Sequence, residues 1–597
     1  MAREILTFQL GNYSNYIGTH WWNIQVRLQK HIKISHVAQH QHVRPHYFQE
    51  SSFNYEPNAE PSEIDHSVLY REGQTRQRQV TFTPRLLMLD LNGTLKHVPR
   101  TGDLYEQPID PEQIPADDPT EVVADIGWET GKVEVIKKEK PAERHPYQKD
   151  LLEAGTSSNS GEDEEKDYNF SQTVQDWIDY SYTRYHPRSI NVIERYTHSR
   201  EESQLDTITN GMELWKDFDF QDDFTDRVRQ YIEECDGCQG FQTLFDCGDG
   251  FSGVAVKLLE HLQDEYGKAT LTFPVFAPKA LAFKNADEPM SDSIRVINTA
   301  LAFAQLPEQC SLFVPLSTMA RCWRNVSEPR ALPNLVYDPA NFYQTSAILA
   351  SFLETVTLRY RLKGSASAGS GAYISGMCGE LSAYGRKMAA AGLALPFPLD
   401  AKQDLIDCLD QLENGQSLTV QLSPNVNVRK RAIIQSVCAR GLPQNRLKRP
   451  PTAKSAQRQQ IMPAYRCSNV SEMLQFFYSC TLEVSMSHVS SINSPIPIRQ
   501  PFPVELFDKR IGFDGFLTDD PLAQAAMPYV QSCPSLAAIQ SSADLGDGLD
   551  ALHREVSRIR LGKIPRFAEC GLEEVDYKEH IEQLLEFKEN YDENYEL

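Results

Sequence analysis

The chain has 597 residues, 41% hydrophobic and 24% charged, enough to bury the cores of two or three domains. Its 82 acidic residues against 59 basic ones give a formal net charge of -23, which argues against nucleic acid as a partner, because that needs a basic face to displace phosphate counterions. The 12 cysteines are scattered along the chain, unlike a small secreted disulfide scaffold, and are expected to be reduced thiols in the cytoplasm. From its opening residues, neither a secretory signal nor an Arg-rich transit segment is expected. No apolar run approaches the roughly 20 residues that span a bilayer, so no transmembrane segment is expected.

Taken in order, residues 5–10 read as a short buried strand, 11–15 as a turn, and Tyr16 opens a helix with Ile17, Trp21, Trp22 and Ile24 on its apolar side. Residues 33–63 are polar, His-rich and loop-like. Residues 86–89 form a second strand that runs into Asp90-Leu91-Asn92-Gly93-Thr94. Prolines and acidic residues mark 116–170 as a flexible insertion. Order resumes around Val174, Trp177 and Ile178. A helix over 224–235, a strand over 241–245, a glycine-bearing turn over 246–253, a helix over 254–266 and a strand over 271–276 follow. This βαβ rhythm predicts a parallel sheet with helices on both faces. Residues 443–460, with Arg446, Lys448 and Arg449, read as an exposed basic loop, and the chain ends in a helical stretch followed by an acidic tail.

The turn at Gly248 is the first feature with a mechanism: glycines between strand and helix let backbone N–H groups converge on an anion at the helix N-terminus. His36, His40, His42 and His46 have metal-compatible spacing but no flanking cysteine or carboxylate cluster, and Cys235 and Cys238 form one C-x-x-C with no second pair of ligands. Neither is assigned a metal, and no nucleophile motif is present.

Arg3-Glu4-Ile5, Gln9, Gly11, Asn15, Ile17-Gly18 and Trp22 resemble the opening strand, phosphate loop and first helix of tubulins. Pro84-Arg85, Leu89-Asp90-Leu91 and Arg100-Thr101-Gly102, then Asp226-Arg227 through Cys235, Gln239-Gly240-Phe241-Gln242 and Arg440-Gly441, resemble tubulin segments in tubulin order. The stretch from Leu10 to Asn23, with His186-Pro187-Arg188-Ser189-Ile190, Asp249-Gly250-Phe251-Ser252-Gly253 and Tyr360-Arg361, is similar to the Misato family. The resemblance implies an α/β, tubulin/FtsZ-like fold. A parallel-sheet, nucleotide-binding-type domain (1–115 and 171–360) is followed by a smaller α/β intermediate domain (361–500), then a C-terminal helical region and acidic tail (501–597). It also implies roles in mitochondrial distribution and morphology, spindle assembly and chromosome segregation, located in the cytoplasm and at the cytosolic face of the outer mitochondrial membrane. Implied partners are tubulin or spindle components, the cytosolic chaperonin, and a protein partner at the mitochondrial surface.

The same resemblance implies a site for GTP or GDP with magnesium at Gly11, Asn12, Asp90, Gly248, Gly250, Ser252, Gly253, Tyr337 and Asn341. Tyr337 and Asn341, read as i and i+4 at the start of an apolar helix, resemble the pair that holds guanine. Other residues pull away from that chemistry. Asp249 and Phe251 stand where small residues are expected, and a carboxylate about 4 Å from a phosphate charge costs on the order of 4 kcal/mol at an effective dielectric near 20. Asn92 replaces an acidic residue near the magnesium. The position of the acidic residue that completes hydrolysis, counted back from Pro396-Phe397-Pro398, is Ala389. No catalytic residue is assigned. Two functions stay open: a scaffold or binding protein with a degenerate GTP site, and a GTP-binding switch or filament-forming GTPase.

Overall fold

The computed structural model describes residues 3–31, 63–74, 80–94, 144–156, 166–198, 204–278, 288–323, 328–363, 373–412, 417–428, 432–449, 459, 461–480, 484–518 and 529–592. The four histidines at 36–46, Arg100-Thr101-Gly102, most of the expected insertion and most of the basic loop lie outside these residues.

Six parallel strands form the first sheet: β1 (Glu4–Leu10), β2 (Leu86–Asn92), β3 (Ile190–Thr197), β4 (Cys238–Asp246), β5 (Ala269–Val275) and β6 (Leu312–Phe313), in the order β3-β2-β1-β4-β5-β6. Every residue of β1 is buried, as expected of a central strand covered on both faces. The covering helices are α1 (Asn12–His31), α2 (Ile208–Trp215), α3 (Phe218–Glu233), α4 (Phe251–Tyr266) and α5 (Glu288–Gln309). α6 (Phe342–Val356) is buried along its whole length from Tyr343. It lies against α1 on one side and the second sheet on the other.

The second sheet comprises β7 (Ala390–Ala394), β8 (Val420–Gln421), β9 (Ala432–Arg440), β10 (Val484–Ile492) and β11 (Ser535–Ser542), in the order β8-β7-β11-β9-β10. It is mixed: β9 and β10 run parallel and the other pairs antiparallel. α7 (Ile374–Leu381) precedes this sheet and α8 (Val470–Cys480) packs on β10. α9 (Leu545–Val556) and α10 (Glu574–Glu589) follow it and return to cover α5. This is the tubulin/FtsZ-like α/β arrangement.

Three local expectations shift. α1 starts at Asn12, so the residues read as a turn form its first helical turn. Within 116–170, the helix Pro146–Thr156 docks through Tyr147, whose ring meets Phe170 edge-on at 5.1 Å; the aromatic residues at 147, 168 and 170 supply an apolar footing that acidic composition concealed. β11 lies in the range read as helical, at the heart of the second sheet, where the alternation of serines and small apolar residues fits a strand paired on both sides.

Candidate functional site at the strand ends

The C-terminal ends of β1, β2 and β4 carry Gly11, Asp90 and Asp246 into one corner, where open parallel sheets bind ligands. Gly11 turns the chain into α1 with φ +107°, and a Cβ there would lie 2.6 Å from the Asp246 carboxyl carbon. The missing side chain makes room for Asp246. Its Oδ2 accepts from the Tyr13 N–H at 2.9 Å, and its Oδ1 accepts from the Ser14 N–H at 2.8 Å and the Ser14 hydroxyl at 2.7 Å. These are the unpaired donors of the first turn of α1, at the positive end of its dipole. The chain's own carboxylate therefore occupies the place where such a helix start receives an anion. Burial pushes the Asp246 carboxyl up to about 6, against the pull of the Ser14 and Tyr13 hydrogen bonds, with the nearby Asp90 adding to the rise. Asn12, half-buried, is the first residue of α1.

Asp90 is as fully engaged. Oδ2 accepts from the Trp177 indole at 2.8 Å and the Asn15 amide at 3.2 Å, while Oδ1 accepts from the Leu91 N–H at 2.8 Å and faces His198 Nε2 at 3.0 Å. That occupies about four lone-pair positions, the capacity of a carboxylate. Burial opposes charge on His198, but its hydrogen bond to Asp90 prevails and holds its pKa above the usual value.

The glycine turn serves packing. A Cβ on Gly253 would lie 1.9 Å from the Ile208 carbonyl, and one on Gly211 would lie 1.9 Å from the Gly250 carbonyl. α2 thus crosses α4 with backbones in contact. Gly250 itself lies against Leu205, and Gly248 lies against the Arg295 side chain with its carbonyl taken by the Asn298 amide at 3.0 Å. The buried Ser252 hydroxyl donates to the Asp249 carbonyl at 2.6 Å. Asp249 accepts from the Phe251 N–H at 3.0 Å, closing the turn on itself. Burial, then the charge of Asp246, holds its carboxyl well above the usual range. Phe251 is a buried core residue.

Tyr337 and Asn341 do not share a helix face. Asn341 is the N-cap of α6: its Oδ1 accepts from the Tyr343 N–H at 3.0 Å and its Nδ2 donates to the Ser171 carbonyl at 2.8 Å. Tyr337 precedes the helix and its hydroxyl donates to the Arg330 carbonyl at 2.8 Å. The i, i+4 reading fails because the helix starts one residue after Asn341. Ala389 is buried just before β7. α7 carries one carboxylate, Glu380, which is ion-paired to Arg359.

Residue spacing gave no hint of Trp177, His198 or Asn298, because they come from distant segments. Asp246 had a signal in the sequence: a carboxylate at the last strand position, opposite a glycine at the end of the neighbouring strand. The described part of the basic cluster is engaged by its own chain: Lys448 donates to the Tyr465 and Cys467 carbonyls, Arg446 to the Asp400 and Gln403 carbonyls, and the exposed Arg449 to Asp407. Among the described residues, no group of three or more His, Cys, Asp or Glu side chains is arranged to hold a metal, and no helix is long and apolar enough to cross a membrane.

A parallel sheet with a glycine turn at its anion corner, a fully buried helix leading to a mixed second sheet, and closing helices that return to the first domain define a tubulin-like protein. Two family models agree: one described as a tubulin domain matches residues 168–362, and one described as the Misato segment II tubulin-like domain matches residues 3–44 and 32–153. The chain is 40% identical to Protein misato of Drosophila melanogaster, with 99% of this chain and 98% of that one aligned. It is 31% identical to Protein misato homolog 1 of Mus musculus and 30% identical to that of Homo sapiens, at the same coverage. The chain belongs to the Misato family.

Proposed function

We propose that this chain is a tubulin-like binding or scaffold protein that works without a nucleotide cycle. It supports mitochondrial distribution and morphology, and contributes to spindle assembly and chromosome segregation through tubulin or spindle components. The observation that carries the first half is the Asp246 carboxylate on the Tyr13 and Ser14 donors of α1. A tubulin-like fold implies a guanine nucleotide with magnesium, and the residues present do not fit one. A phosphate brought to this helix start would meet the Asp246 carboxylate, and a unit charge at about 4 Å costs on the order of 4 kcal/mol at an effective dielectric near 20. Asp90 has its lone pairs committed to Trp177, Asn15, Leu91 and His198, and Asn341 spends its amide as a helix cap. The second half rests on membership of the Misato family. Association with the cytosolic face of mitochondria is through a protein partner, and folding is assisted by the cytosolic chaperonin.

The test is acid extraction of the purified chain and chromatography of whatever nucleotide is released, followed by incubation with GTP and magnesium. The expected result is no stoichiometric guanine nucleotide before or after incubation. Near-stoichiometric GDP or GTP would overturn this reading in favour of a GTP-binding switch.

A further inference from the structure

At the end of the sheet opposite the acidic corner, the chain passes from α3 into β4 through Cys235-Asp236-Gly237-Cys238. The Cys235 N–H donates to the Ile232 carbonyl at 3.1 Å, continuing the helix end, and Cys238 is the first residue of β4, opposite Glu4. The turn between them is pinned. The Gly237 N–H donates to Glu4 Oε2 at 2.8 Å, the Glu4 N–H donates to the Gly237 carbonyl at 3.2 Å, and Glu4 Oε1 is ion-paired to Arg85 at 3.0 Å. This clamp fixes the turn between two cysteines that are both partly exposed, whereas eight of the chain's 12 cysteines are buried.

We propose that Cys235 and Cys238 form a reversible dithiol–disulfide centre, oxidised by low-molecular-weight disulfides. The pair is chemically asymmetric. Contact with the Cys235 thiol, then the positive charges of Arg85 and Lys268, bring the Cys238 thiol down to about 7 against burial. The same contact, followed by burial, pushes the Cys235 thiol up; in the reduced state its S–H also has the Tyr231 carbonyl 3.2 Å away. One sulfur is the nucleophile and the other resolves. The Cys238 thiolate attacks one sulfur of a disulfide RSSR, forming the mixed disulfide and expelling RS⁻. The Cys235 sulfur then attacks the Cys238 sulfur of the mixed disulfide, and the second RS group departs with the Cys235 proton as RSH. The two cysteines lose two electrons, RSSR is reduced to RS⁻ and RSH, and excess small thiol reverses the exchange. The new bond ties the end of α3 to β4 beside the Glu4–Arg85 pair. No third ligand joins the two sulfurs in a metal-holding group among the described residues, so thiol exchange is the chemistry this pair supports.

The test equilibrates the full chain with mixtures of reduced and oxidised glutathione, quenches with acid, and alkylates the remaining thiols after unfolding. The peptide released by cleavage after Arg229 and Lys257 also contains Cys247, so fragmentation within it assigns the bond. The expected result is a loss of two hydrogens confined to Cys235 and Cys238, in mixtures that leave the other ten cysteines alkylated. Cys235→Ser then stops at a glutathione adduct on Cys238, and Cys238→Ser forms neither product. A pair that stays alkylated while Cys480 or Cys570 is oxidised, or an adduct that settles on Cys235, would overturn the proposal. The wild-type arm decides the question even where a serine variant folds poorly.

Discussion

Glu354 and Arg440 meet at 3.1 Å with both side chains fully withdrawn from solvent. The same carboxylate accepts from Arg361 at 2.8 Å and from the Trp21 indole at 3.1 Å. Glu354 lies on α6, Arg440 ends β9, Arg361 follows α6 and Trp21 lies on α1. One buried acid therefore joins the first domain, the central helix and the second sheet. Arg440 also donates through Nε to the Ser494 carbonyl and through Nη2 to the Pro495 carbonyl, so each of its three nitrogens has a partner.

Breaking this centre from one side should be severe. Glu354→Ala strands two buried guanidinium groups and is expected to cost about 3–5 kcal/mol, because an uncompensated buried charge is worse than a missing pair. A volume-matched apolar replacement of all three, Glu354→Leu with Arg361→Met and Arg440→Met, should cost less than Glu354→Ala alone. Denaturant midpoints of the two variants check the order; the reverse order would show that the charges themselves stabilise the domain contact.

Asp246 gives a pH dependence with a defined sign. Its carboxyl is carried from 3.8 up to about 6 by burial, ahead of the opposing hydrogen bonds. The native state therefore holds this proton more tightly than the unfolded chain does. The stability linked to it is fully present below 3.8 and is lost as pH rises through about 6. Asp246→Asn has no proton to lose there. The stability of the wild type relative to Asp246→Asn should fall between those two pH values and flatten above them. Thermal melts of both proteins across the window measure this, and a difference that rises with pH would show that the hydrogen bonds outweigh burial.

Four strands of the first sheet were legible, at 5–10, 86–89, 241–245 and 271–276, because central parallel strands are apolar runs between turns; the edge strands β3 and β6 were not read. The motif residues Trp21, Arg361 and Arg440 were also visible, yet their meeting point was not. Glu354 looks like a solvent-facing residue in an apolar helix until the two arginines arrive from elsewhere in the chain. The glycines of the anion turn were read as phosphate-facing; the structure adds that Gly253 and the Gly250 carbonyl lie against α2, a helix that the reading of the chain did not resolve. Asn341 was assigned to guanine by resemblance, with the start of α6 set too early; the structure shows its amide capping that helix. An N-cap and a ligand amide are the same residue type, and only the position of the first helical N–H distinguishes them.

The two uses of glycine separate by mutation. Gly253→Ala places a methyl group 1.9 Å from the Ile208 carbonyl, so α2 must lift off α4, at an expected cost of about 1–3 kcal/mol. Gly379, on α7, has nothing within 4 Å of its Cβ position, and Gly379→Ala should stabilise by about 0.5–1 kcal/mol through the helix preference for alanine. Melting temperatures moving in opposite directions would support the packing role of the anion-turn glycines. An innocuous Gly253→Ala would remove it.

Asn341→Ala separates a capping role from a ligand role at one position. The cap satisfies the Tyr343 N–H, and the amide also reaches the Ser171 carbonyl, so its loss is expected to cost about 1 kcal/mol of stability. If the residue acts only as a cap, the denaturant midpoint shifts in the variant while the nucleotide content stays at the wild-type level, with no guanine nucleotide in either protein. The midpoint and the extracted nucleotide are measured on the same preparations. A variant that keeps its stability but loses a nucleotide present in the wild type would return Asn341 to guanine recognition, because a cap acts on α6 whether or not a ligand is bound.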